Sequence, residues 1–530
     1  MVSFPPWPKT MSLPGPALNV LAPGVAGQDV SWASRGDVLD VDDRVALTRF
    51  TVVAVHVIEV DVDSDAPRGS LFRIATAGYR IGRQGRHGNV RDHARDRQED
   101  GRVNEDDLAA LLREHASRHS VPGAAIGILR DGEVTTAYCG VADVRSAQPV
   151  TRETLFSVGS LTKSMVATVI ARLAAAGRLS LDESVAAYVP ELHGGGWVQR
   201  ATLRDLLANR SGLPLRAGLE FDFAAHGDAD EGALSRLCAD VLGGPPAAAF
   251  WSYTNVGWCL LGRAIETATN AVWEDAMRRH FAGMGMRATT FATDAVTKRR
   301  ATGHKITTEG PVRVEPLLAR AYGPAGTSIV STVEDLLRFA AIHLDDSSLA
   351  GLRAVHAEVS IYGWLDSWCL GWAKFDWDGG PVWGWDGVIG GERSFLRIMP
   401  ENRAAIVLMT NGSTGRAMYR SLFADVMEPL FRIDFSPLRL DPSPGAAGEV
   451  SRFAGVYAWP DRRVDVTVAG SGLLIKSDQG VTEALPLDER TFLVDALDPD
   501  NPTVTFGASD SSGRPQVLYI MLWGLPRVDV

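Results

Sequence analysis

The sequence predicts an α/β (α+β) chain: one antiparallel sheet flanked by helices, with an inserted helical subdomain, followed by a small all-β barrel. Three observations predict it. Strand-like runs stand early, in GAAIGILRDGEVTTAYCGVAD, and return only at CLGWAKFDW, GPVWGWDG, SFLRIMP and AAIVLMTN. Between Leu179 and about Ala325 the apolar spacing is mostly helical. After the proline-rich stretch FSPLRLDPSPGAAGE the chain becomes a series of short apolar segments separated by turn residues, the pattern of a barrel or sandwich. The expected domains are an extension over 1–103, a main domain over 104–435, a linker over 436–448 and an all-β domain over 449–530.

The extension opens with Pro5, Pro6, Pro8, Pro14 and Pro16 and closes on an arginine-rich run of mixed sign, so it is expected to be largely disordered. Helical spacing begins at EDDLAALLREHASRH. His115 and His119 lie one helical turn apart there, and without a metalloprotease motif they read as an exposed helix face rather than a metal pair. Two apolar runs around Arg130-Asp131-Gly132 form a hairpin signal. The run MVATVIARLAAAGRL after Lys163 reads as a helix closing at Gly177. Tyr253-Thr254-Asn255 stands at the start of another apolar helix, and STVEDLLRFAAIHL reads as a Ser/Thr-capped helix holding Glu334 and Asp335. A last helix, GRAMYRSLFADVMEPLF, precedes the linker.

Composition narrows the function. A net charge of −11 argues against a nucleic-acid partner, which wants a basic face. Cys139, Cys238, Cys259 and Cys369 are far apart and read as buried thiols rather than a disulfide framework or zinc site. No apolar run reaches the length of a membrane span and the N-terminus lacks a signal pattern, so a cytoplasmic enzyme is the expectation. No cofactor or metal is called for.

The chemistry centres on Ser160-Leu161-Thr162-Lys163. At the start of a helix, Lys163 lies three residues beyond Ser160 on the same face. A serine hydroxyl needs a nearby base to become a nucleophile. Burial and the positive end of the helix dipole both favour a neutral, proton-accepting lysine. Lysine is scarce, occurring only at Lys9, Lys163, Lys298, Lys305, Lys374 and Lys476 in an arginine-rich chain, and arginine could not serve as a base. Ser-x-x-Lys alone is nevertheless a weak motif: an N-cap serine and a solvated lysine would look the same.

Together, SLTK at Ser160–Lys163, YTN at Tyr253–Asn255 and WDG at Trp385–Gly387 resemble, in order and spacing, the serine β-lactamase and penicillin-binding-protein superfamily. The class C-like branch, with its esterases and D-aminopeptidases, is the nearest in pattern, and the similarity covers about 104–432. The C-terminal unit resembles the lipocalin-like barrel often appended to such enzymes. The resemblance implies a β-lactamase/transpeptidase-like fold. It implies Ser160 as the acylated nucleophile, and Lys163 with Tyr253 as general base, the phenol pKa being lowered by the neighbouring cation. Asn255 would hold the acyl side of the substrate, and the N–H groups of Ser160 and Val388 would form the oxyanion hole.

One position departs from the pattern. Lactamases carry lysine, and many relatives histidine, where this chain has Trp385; related carboxylesterases have Trp-x-Gly. Tryptophan offers one N–H donor and no charge, and Asp386 beside it would repel an anion. A small neutral ester or amide is therefore the expected substrate. A β-lactamase or D-amino-acid amidase or peptidase is the alternative, and a non-catalytic binding or assembly protein is an alternative of another class. A Gly-x-Ser-x-Gly elbow does not occur: Gly326-Thr327-Ser328 lacks the second glycine.

Overall fold

The computed structural model describes residues 103–192, 197–213, 230–240, 250–295, 299–315, 319–435, 440–459, 462–478, 480–494 and 502–528. The extension over 1–102, and with it the expected disorder, lies outside the described residues.

The main domain opens with helix α1 (Glu105–Arg118), capped by the Asn104 side chain, which accepts a bond from the Asp107 N–H. Strands β1 (Gly123–Arg130) and β2 (Glu133–Asp143) follow, joined by Asp131 and Gly132, both at positive φ as a two-residue hairpin loop of this kind requires. The short strands β3 (Gln148–Pro149) and β4 (Phe156–Ser157) lead to helix α2 (Thr162–Ala175), after which Gly177 turns left-handed at φ +67°. The helical insertion carries α3 (Trp197–Arg200), α4 (Leu203–Leu207), α5 (Ala233–Asp240), α6 (Asn255–Thr269) and α7 (Trp273–Gly283). Then come β5 (Thr290–Phe291), β6 (His304–Thr307), β7 (Gly310–Arg313) and β8 (Ile329–Ser331). Helix α8 (Val333–Asp345) is capped by Thr332. The chain returns to the sheet through β9 (Ser367–Trp368), β10 (Ala373–Trp377), β11 (Gly380–Ile389), β12 (Glu392–Met399) and β13 (Ala404–Thr410), and closes with α9 (Gly415–Phe431).

The central sheet has the order β3-β2-β1-β13-β12-β11-β10-β9 and is antiparallel. The two sequence-distant strand groups thus meet where β1 pairs with β13. Alternation along β1 sorts the layers. Gly127 faces α8 so closely that an added Cβ would lie 2.3 Å from Val333, whereas Arg130, on the other face, donates to the Leu430 carbonyl of α9. Helix α1 joins α9 on that second face: His115 bonds Ser421 at 2.8 Å and Asp425 at 3.1 Å, and His119 bonds Ser421 at 2.7 Å. This corrects the exposed-face expectation, because His115 is fully buried and both imidazoles link two helices. No group of three metal-ligating side chains occurs among the described residues, and the four cysteines are buried thiols outside any disulfide.

The C-terminal unit is an antiparallel meander of β14 (Gly455–Trp459), β15 (Arg462–Ala469), β16 (Gly472–Ser477), β17 (Gly480–Pro486), β18 (Thr491–Leu493), β19 (Thr503–Ser509), β20 (Pro515–Ile520) and β21 (Trp523–Pro526). The end of the meander returns to its start, with Val528 N–H donating to the Val456 carbonyl at 2.8 Å, so the sheet is a nearly closed barrel. Phe453, Tyr457, Phe492 and Phe506 fill its interior. The run QVLYIMLWG, which reads as a single segment, is split by a turn at Met521-Leu522 into β20 and β21. The described residues belong to one compact unit. None of the described helices is long and apolar enough to cross a membrane.

Candidate active site

The turn that carries Ser160 is built by close approach. Residues Gly159–Leu161 form one 3-10 turn that runs directly into α2, so Ser160 sits just before the helix. Gly159 adopts φ +57°, and a Cβ there would come within 2.5 Å of the Val388 nitrogen. Across the contact, a Cβ on Gly387 would fall 1.9 Å from the Val158 carbonyl oxygen. Only glycine lets β11 lie this tightly against the turn. Ser394 Oγ fastens it by donating to the Val158 carbonyl at 2.6 Å. The approach sets the main chain of Val388 beside the Ser160 turn, the arrangement that a pair of oxyanion donors needs.

Lys163 is fully buried, and its Nζ donates to Ser160 Oγ at 3.1 Å and to the Ala325 carbonyl. Burial pulls its pKa down from 10.5 to about 7, since its surroundings offer little to offset the desolvation of the ammonium. Near neutrality an appreciable fraction is therefore a neutral amine within reach of the serine proton.

Tyr253 stands beside this pair, its ring centroid 4.9 Å from Lys163 Nζ, and only 8% exposed. The expected lowering of its pKa is reversed. Burial pushes the phenol well up, and hydrogen bonding to Ser160 and Trp385 only partly opposes this. A neutral lysine cannot stabilise a phenolate as a cation would. Tyr253 is thus a protonated hydroxyl at neutral pH, suited to relaying a proton.

Trp385 does lie at the site. Its Nε1–H donates to Tyr253 Oη at 3.4 Å, and its ring is 5.5 Å from that of Tyr253. Trp368 packs edge-on against it at 4.7 Å. Asp386, the next residue on β11, points the other way, as alternation demands. Its carboxylate meets Arg397 Nη1 at 2.7 Å and Arg416 Nη1 at 3.1 Å, both guanidinium groups being almost fully buried. The expectation that Asp386 would repel an anion is therefore corrected: two cations face its single charge. Asn255 is the first residue of α6, half-buried, with Thr254 at the N-cap position.

Several contributors had no signal in the sequence. Glu392 is buried and accepts bonds from both the N–H and the hydroxyl of Ser157, three residues before Ser160. Burial raises its pKa to about 7. Arg397, Arg416, Trp368 and the Ala325 carbonyl join the site from elements distant in sequence, and no local pattern marks them.

The sheet, the helical insertion and the Ser160–Lys163–Tyr253 cluster define a class, and the comparison with family profiles agrees: the chain matches the Beta-lactamase family over residues 108–426 and belongs to it. Among curated relatives it is similar to penicillin-binding protein 4 of Amycolatopsis lactamdurans, 32% identical over 365 residues that make up 64% of this chain and 94% of that one. A β-lactamase of Yersinia enterocolitica is 26% identical over 55% of this chain and 73% of its own length. Among solved structures, SurE superposes with a TM-score of 0.66 at 25% identity over 80% of this chain and 99% of its own. The D-amino acid amidase of Ochrobactrum anthropi superposes with a TM-score of 0.50 at 23% identity, covering 61% of this chain and 97% of its own, a likeness of fold.

Proposed function

We propose that this chain is a serine hydrolase that cleaves uncharged carboxylic esters through an acyl-Ser160 intermediate. The observation that carries the reading is the buried Lys163 amine, 3.1 Å from Ser160 Oγ with a pKa near 7. In this mechanism neutral Lys163 takes the serine proton as Oγ attacks the ester carbon. The oxyanion is held by the N–H groups of Ser160 and Val388. Collapse breaks the carbon–oxygen bond, and the leaving alcohol receives its proton from Lys163 through the Tyr253 hydroxyl. Water then attacks the acyl carbon and gives its proton through Tyr253 to Lys163; collapse breaks the bond to Ser160 Oγ, which takes the proton back from Lys163, and the acid leaves. Asn255 and Gly387 would line the acyl pocket.

The ester preference rests on Trp385. Where relatives hold a cation against the tyrosine, this site holds an indole N–H. A substrate carboxylate placed there would lose its hydration with no full charge in return. A second reading, an enzyme acylated by β-lactams, is favoured by the name of the penicillin-binding relative. The test is fluorophosphonate labelling with peptide mapping, followed by hydrolysis of p-nitrophenyl acetate and butyrate, nitrocefin and D-alanyl p-nitroanilide. Labelling at Ser160 with turnover of the esters is expected. Nitrocefin turned over as efficiently as p-nitrophenyl butyrate would favour the second reading, and a wild-type protein unlabelled at Ser160 would overturn both.

A further inference from the structure

The segment that carries Tyr253 is held from two sides. On one side the Ser252 N–H donates to the Asn209 carbonyl of the helical insertion at 3.0 Å. On the other, the partners belong to the barrel. The Tyr253 N–H donates to the Leu522 carbonyl at 3.1 Å, and Ser252 Oγ accepts from the Gly524 N–H at 3.2 Å. Side chains follow the same division. Trp251 packs against Trp368 at 5.9 Å and against Tyr519 of β20 at 6.1 Å, and Phe250 meets Trp459 of β14 edge-on at 5.5 Å.

The barrel gives up part of itself to make this contact. Along β20, Leu518 and Ile520 point into the barrel core, while Val517 and Tyr519, with Leu522 of the turn, belong to the core of the main domain. The turn is also strained. Met521 sits at φ +57°, a left-handed conformation that is unfavourable for a side-chain-bearing residue. Such strain persists where surrounding contacts enforce it. Gly524 is enforced in turn: a Cβ there would lie 2.8 Å from the Phe250 ring and 3.0 Å from the Trp251 carbonyl oxygen.

We propose that the β20–β21 turn is a positioning element of the active site: through the Leu522 carbonyl and the Gly524 N–H it fixes the main chain of Ser252 and Tyr253, and so the Tyr253 hydroxyl relative to Ser160 and Lys163. The barrel is on this account a fixed wall of the catalytic machinery, with an interior filled by its own side chains. The inference rests on the assignment of Ser160 and Tyr253 made above.

The test uses the full chain and the variants Gly524→Val, Ser252→Ala and Ser252→Thr. Gly524→Val pushes Phe250 and Trp251 away from the turn. A displacement near 1 Å in a catalytic constellation costs about 10²-fold in rate. The expectation is a fall of about that size in kcat and in the Ser160 labelling rate, with KM moving less than about threefold, in a protein that still melts cooperatively. Ser252→Ala should lower kcat by about three- to tenfold, and Ser252→Thr, which restores the hydroxyl, should recover it. A folded Gly524→Val protein labelled at the wild-type rate would overturn the proposal. Should that variant not fold, Ser252→Ala decides, and a kcat within about twofold of wild type would sink the idea. Failure of the underlying assignment is separately visible, since wild-type protein would then not label at Ser160.

Discussion

Burying an amine at position 163 makes catalytic capacity and stability oppose each other. With a folded pKa of about 7 against an unfolded value of 10.5, the folded state loses the Lys163 proton first as pH rises. Stability from this group therefore grows between those values, and below pH 7 the penalty of the buried charge is fully felt. Lys163→Met should be more stable than wild type, by on the order of a few kcal/mol near pH 6, with the advantage fading toward pH 10.5. It should lose about 10²–10⁴-fold in acylation. Wild-type acylation should rise through an apparent pKa near 7. A Lys163→Met protein that melts lower than wild type at pH 6 would contradict the buried-charge account. At Trp385 the prediction concerns choice of substrate. Trp385→Lys or Trp385→His should improve acylation by penicillin-type substrates relative to esters, modestly, because the indole also shapes the pocket. A ratio of nitrocefin to p-nitrophenyl butyrate turnover that does not rise would remove the reason given for the ester preference. That Ser160, Lys163 and Tyr253 adjoin was legible because each stands in a short motif at a helix start. The state of the tyrosine was not, since it depends on burial supplied by Trp368 and Trp385.

Elements were legible where periodicity and punctuation agree. Helix α9 runs over Gly415–Phe431 as its apolar spacing suggests, and the Asp131-Gly132 loop has the residues its geometry wants. The β20–β21 turn was hidden for the opposite reason. Met521-Leu522 carries no Gly, Asn or Asp, so the chain reads as one strand, and a left-handed methionine is held there by tertiary contact. Glu392 was equally silent. It anchors β4, just before the Ser160 turn, to the β11–β12 hairpin through Ser157. Its folded pKa of about 7 lies above the ordinary 4.5, so its contribution is full below pH 4.5 and is lost as pH rises through 7. Glu392→Gln, neutral throughout, should come nearest to wild type below pH 4.5 and melt higher at pH 8. A difference in melting temperature that stays flat with pH would refute this.

At the scale of the whole molecule, the two β-rich units that look separable in sequence share a core. Val517, Tyr519 and Leu522 pack with the main domain, and the linker composition gave no hint of it. We therefore expect the main domain and barrel to unfold in one calorimetric transition; two resolved peaks would show that the shared core is too weak to couple them. Fold class was readable because strand groups on either side of a helical middle have few ways to pair. Docking was not, because it depends on which face of β20 is apolar, and both are.

The aromatic residues around the site have an optical consequence. Trp368 and Trp385 adjoin Tyr253, Trp251 packs on Trp368, and Tyr519 reaches Trp251 from the barrel. Indole emission responds to nearby charge and to hydrogen bonding at Nε1, and Trp385 bonds the Tyr253 phenol for which a proton relay is proposed. Protonation of Lys163, the proposed acylation of Ser160 and displacement of the barrel turn would each alter the field at these rings. The molecule thus carries its own fluorescent gauge, readable without a coloured substrate. Trp385→Phe should remove much of the emission change seen on fluorophosphonate addition, and an undiminished change in that variant would locate the signal elsewhere.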